Sequence, residues 1–121
     1  MPSKGSIENP ADRIDFTNSD PDMIVIFLRF MRTIFTLNES KFRILLYCYS
    51  DQDINELITF WSLLTDIPKT QFTKPYVRTD FRINGRKMTY GLVHIRYYDK
   101  KLLLELKKMI DFYKVAYMRR W

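Results

Sequence analysis

With a single cysteine, Cys48, the chain cannot close an internal disulfide, and with a single histidine, His94, 46 positions further on, it has no paired His/Cys spacing to hold zinc. A reducing compartment is the expectation. Glycine is almost as scarce: Gly5, Gly85 and Gly91 are the full set, and none opens a helix after a strand. That excludes a glycine-rich phosphate cradle and makes nucleotide-fold enzymes a poor match. No run approaches the roughly 18 apolar residues that cross a bilayer, and "MPSKGSIENP" lacks the apolar middle of a signal peptide. The expectation is an intracellular protein with no membrane partner. Internal repeats and interior linkers are also missing, so nothing divides the chain.

What is present argues for a packed fold. The 121 residues are 46% hydrophobic and 16% aromatic, enough to build a core without staples. Residues 1–11, with two prolines, a glycine and two serines, read as a flexible lead-in, and 12–121 as one domain. "DRIDFTN" alternates, with Ile14 and Phe16 on one face, as a half-buried strand does. Ser19 or Asp20 then caps a helix with Pro21 in its first turn and Ile24, Phe27, Leu28, Met31, Ile34 and Phe35 on its buried stripe. "KFRILLYCY" is apolar on both alternating faces, as a doubly covered strand would be, which makes Cys48 core. Ser50 or Asp51 caps a second helix lined by Ile54, Leu57, Ile58, Trp61 and Leu64, and Pro68 stops it. Asp99 caps the longest helix, with Leu102, Leu103, Leu106, Met109, Ile110, Tyr113 and Tyr117 inside and five lysines outside.

Between the last two helices lies "KTQFTKPYVRTDFRINGRKMTYGLVHIR", where seven Lys or Arg face Asp80 alone, so the stretch carries the whole of the chain's net charge of +6. Asn84-Gly85 marks a two-residue hairpin turn. Counting outward in steps of two puts Val77, Thr79, Phe81 and Ile83 on one face with Met88, Tyr90, Leu92 and His94. Arg78, Asp80 and Arg82 share the other with Lys87, Thr89 and Gly91. A narrow ribbon with one cationic face fits the major groove of duplex DNA. Lys74, Tyr76, Arg78, Arg82, Arg86, Lys87 and Arg96 are the candidate DNA-binding residues, and Tyr76 is the aromatic best placed for a base. His94 falls on the apolar side of this ribbon with no acid placed by sequence to orient it, so it reads as a satisfied or DNA-facing histidine and no catalytic residue is assigned. Asp12, Asp15, Asp20 and Asp22 are dense enough to hold a hard cation, although helix capping accounts for the last two.

Three blocks, "FTNSDPDMIVIFLRFMRTIF", "DQDINELITFWSLLTDIPKTQFTKPYV" and "MTYGLVHIRYYDKKLLLELKKMI", resemble the C-terminal part of small proteins related to LAGLIDADG homing endonucleases. The shared pattern is F-W-S-x-L-T-x-I-P, then K-x-Y, then Y-G-x-x-x-I-R-x-Y, and the likeness runs from about Arg13 to Ile110. The resemblance implies a curved antiparallel sheet laid on DNA. In that family a metal-binding acid tips a signature helix, and two such helices form the dimer seam; no such helix precedes "GSIENPADRIDF". The expectations are therefore an α+β fold in the order β-α-β-α-β-β-α, antiparallel and homing endonuclease-like, and a domain that binds double-stranded DNA, does not cleave it on its own and carries no cofactor. A homodimer or an upstream catalytic segment would complete it. One alternative is a magnesium-dependent DNA endonuclease, or half of one, drawing metal ligands from Glu8, Asp12, Asp15 or a partner chain. Another is a basic module that meets an acidic protein.

Overall fold

A computed structural model describes residues 12–79 and 89–118. The elements in chain order are β1 (Arg13–Asn18), α1 (Pro21–Ile34), β2 (Phe42–Tyr49), α2 (Ile54–Thr65), β3 (Tyr76–Arg78), β4 (Leu92–Tyr98) and α3 (Lys100–Met118), with short 3-10 turns at Glu39–Lys41 and Lys69–Gln71. This is an α+β arrangement in which four strands form one sheet in the order β1-β4-β2-β3. The described residues group into two compact units, Asp15–Tyr97 and a second formed by the two ends of the chain.

Local chemistry accounts for the helices of the larger unit. Asp20 caps α1, its carboxylate accepting from the Asp22 amide at 2.9 Å, with Pro21 following. The cap of α2 is Asp53, not Ser50 or Asp51; its Oδ1 accepts from the Glu56 amide at 3.2 Å. Asp53 and Glu56 stand at the spacing of a capping box, which fixes the start two residues later than a search for the first polar residue would. The end of α2 is set by the F-W-S-x-L-T-x-I-P pattern. Thr65 Oγ1 donates back to the Trp61 carbonyl at 2.6 Å, Asp66 turns left-handed at φ 59°, and Ser62 Oγ donates to the Ile67 carbonyl at 2.8 Å.

These helices bury one face of the sheet. Phe42, Ile44, Leu46 and Cys48 of β2 and Val93, Ile95 and Tyr97 of β4 are all at most 3% exposed, as are Ile24, Leu28 and Met31 of α1 and Trp61 of α2. Phe16 stacks on Phe27 with centroids 4.2 Å apart. The Trp61 indole donates to the Tyr90 carbonyl at 2.6 Å, so the largest core side chain is satisfied as well as buried.

The sheet is mixed rather than antiparallel throughout. β2 pairs antiparallel with β4, Ile44 opposite Ile95, but parallel with β3, Tyr47 opposite Tyr76. The chain between β2 and β3 passes through α2 and comes back in the same direction, as a helical crossover does. A strand, a helix and a second strand at that spacing is the signal that the hairpin reading overlooked. It also separates the two arms of the expected ribbon: β3 and β4 lie on opposite sides of β2, so Val77 does not face Leu92. The Asn84-Gly85 turn itself, with Phe81 and Met88, lies outside the described residues.

In the second unit, the Arg13 guanidinium donates to the Tyr98 hydroxyl at 2.9 Å, and Asp99 caps α3 by accepting from the Leu102 amide at 3.0 Å. Leu102, Leu103, Leu106 and Met109 are half-buried. Ile110 and Tyr113, expected inside, are 55% and 66% exposed. The unit's described part holds one helix, which offers no second surface of its own to cover the later turns.

Candidate nucleic-acid interface

The alternation that buries Ile44, Leu46, Val93 and Ile95 turns their neighbours to the other face of the sheet. From β4 these are Leu92, His94 and Arg96; from β2, Arg43, Leu45, Tyr47 and Tyr49; from β3, Tyr76 and Arg78; and from β1, Asp15 and Thr17. They are half-buried or exposed. His94 and Leu92 thus stand opposite the core, reversing the face assigned by counting from Asn84-Gly85. Thr89 and Tyr90 form a turn and Gly91 adopts φ 75°, so the two-residue period restarts at β4 and the count does not carry across.

Two groups of side chains organise this face. The first centres on Asp15. Its Oδ1 lies 3.0 Å from His94 Nδ1, and its Oδ2 accepts from Arg96 Nε at 3.1 Å. Thr17 Oγ1 lies 2.9 Å from the same histidine nitrogen and donates to Asp15 Oδ1 at 3.2 Å. Burial pushes the Asp15 carboxyl up, but the His94 hydrogen bond, the charges of His94 and Arg96 and the Arg96 hydrogen bond outweigh it, so Asp15 titrates below the usual aspartate range. The second group is a row of rings. Tyr76 stacks on Tyr47 at 4.9 Å and 27°, and Tyr47 lies 5.0 Å from the His94 ring at 35°.

Of the expected binding residues, Lys74, Tyr76 and Arg78 lie together on the exposed segment that becomes β3, and Arg96 shares their face two strands away. Arg82, Arg86 and Lys87 lie outside the described residues. Arg43, Tyr47 and Thr17 were not anticipated on this face; Asp15 was expected only as a candidate cation ligand, and His94 as a histidine with no acid to orient it. The signal for Arg43, Tyr47 and His94 was the second alternating set of "KFRILLYCY" and of "LVHIRYY", which carries Arg, Tyr and His where a doubly covered strand would be purely apolar. Arg43 leans back onto its own chain, donating from Nη1 to the Ser40 and Phe42 carbonyls at 2.7 Å each.

Among the described strand residues of this face Asp15 is the one acid, beside Arg43, Arg78 and Arg96. Cys48 is on the core side, where burial pushes its thiol up and disfavours the thiolate. No group of three or more His, Cys, Asp or Glu stands together among the described residues. No family model, curated protein or solved structure matches this chain.

Proposed function

We propose that this chain is a DNA-binding domain of the homing endonuclease type, which meets the duplex with the face of the sheet opposite its helices. The observation that carries the reading is the make-up of that face: three arginines, a histidine and exposed tyrosine in one patch, whose one strand acid is already engaged by Arg96 and His94. Such a surface attracts phosphates, and its arginines and Tyr76 have the chemistry to reach base edges and sugars. Lys74 and Arg78 extend it along the edge strand.

The role is binding without cleavage by this chain alone. Asp15, the acid on the proposed DNA face, spends both carboxylate oxygens on protein partners. A supercoiled plasmid incubated with the chain and magnesium should stay intact.

The direct test is a fluorescence-anisotropy titration of a labelled duplex at two salt concentrations, comparing the parent with the Lys74→Glu/Arg78→Glu variant. Both side chains are exposed, and a thermal melt of the variant separates a loss of binding from a loss of fold. Affinity should fall by about tenfold or more, and the slope of log affinity against log salt should shrink by roughly 0.9 for each phosphate that is no longer neutralised. Equal binding by the two proteins would remove this face from the interface.

A further inference from the structure

Tyr76 stands at the end of a row of rings. His94 on β4, Tyr47 on β2 and Tyr76 on β3 place three rings in succession across three neighbouring strands, with centroids 5.0 and 4.9 Å apart. The inner ring has a neighbour on each side. The outer ring has Tyr47 on one side, and on the other it meets no ring among the described residues. It belongs to the edge strand and is 54% exposed, an unusual position for a tyrosine whose rotamer is held by stacking.

We infer that Tyr76 is a stacking platform for one unpaired base, which would continue the His94–Tyr47–Tyr76 row by a fourth ring. Every base has a π-face, so such a site selects for an accessible base rather than for a sequence. Base pairs inside an intact duplex cannot offer that face, because their own neighbours occupy it. The ligand class is therefore DNA with a base already out of the helix: a bulge, a gap or a single-stranded end beside a duplex. Lys74 and Arg78, two residues to either side of Tyr76, supply the cations for the phosphates that flank such a base. Because Tyr47 already fixes the outer ring, little side-chain freedom remains to be given up on binding. The inference rests on the DNA-binding reading above and adds to it the state of the DNA that is preferred.

Three labelled probes test it: a flush duplex, the same duplex with a one-nucleotide thymine bulge, and one whose bulged nucleotide is abasic. The parent should bind the thymine bulge roughly 5- to 150-fold more tightly than the other two, the range that one base–aromatic stack supplies. Tyr76→Ala should abolish that preference while leaving the melting temperature close to the parent's, and Tyr76→Phe should keep the preference. In Tyr76→Trp, the thymine bulge should quench the fluorescence of the new indole and the abasic bulge should not. Equal affinity of the parent for all three probes would overturn the stacking site and leave duplex binding standing. So would a preference that survives Tyr76→Ala. Failure of the parent to bind any probe would overturn both readings.

Discussion

Asp15 shows how one side chain can hold a surface in register. It is a carboxylate on a sheet face otherwise rich in cations, and it ties His94 and Arg96 of one strand to another strand through contacts of 3.0 and 3.1 Å. Because folded Asp15 titrates below its ordinary value, the stability it contributes is complete above that value, about 3.9, and is lost as the pH falls through the lower folded value. Asp15→Asn should therefore melt below the parent at pH 6, and the gap should close as both are taken to pH 2. Thermal melts at half-unit steps measure it, and a gap independent of pH would assign the stabilisation to something other than this ionisation. The same cluster marks where single-residue reading ran out. Asp15 and His94 are 79 positions apart, and no local pattern announces that the acid of one strand orients the imidazole of another.

At the scale of elements, the helices and the alternation of β1 and β2 were legible because each depends on residues within a turn or two of one another: Asp20 and Pro21 start α1, and Phe42, Ile44, Leu46 and Cys48 set one face of β2. The phase of β4 was not, because it depends on what the chain does at Gly91. There φ is 75°, and a Cβ would lie 2.7 Å from the Tyr47 carbonyl oxygen and 3.0 Å from a Leu46 methyl. A left-handed backbone at a close approach of two strands is the combination only glycine fits. Gly91→Ala should cost roughly 1–3 kcal/mol from the backbone conformation alone, and more if β2 has to shift away from the new methyl. Urea unfolding of the two proteins checks this, and a loss under about 0.5 kcal/mol would mean that the approach is looser than the distances indicate. The parallel pairing of β2 with β3 escaped a local reading for the opposite reason: the Asn84-Gly85 signal was strong enough to draw the eye away from the crossover through α2.

Over the whole molecule, the charge asymmetry was visible in the sequence, while its arrangement depended on topology. The excess cations occur in one stretch, yet Arg78 and Arg96 reach the same face from opposite sides of β2, and Arg43 joins them from outside that stretch. The place of β1 in the strand order carries a kinetic consequence. β1 neighbours β4 at the edge of the sheet, and its side-chain ties to β4 through Thr17 and Asp15 close loops of 77 to 81 residues. Loops of that length are entropically costly to close and are formed late in folding, after more local pairings. What forms last at an edge also opens most readily under native conditions. In hydrogen exchange followed by mass spectrometry, the amides of residues 15–18 should therefore exchange well before those of Phe42–Tyr49, the strand that lies between β4 and β3, and equal protection of the two strands would show that the sheet opens only as a whole.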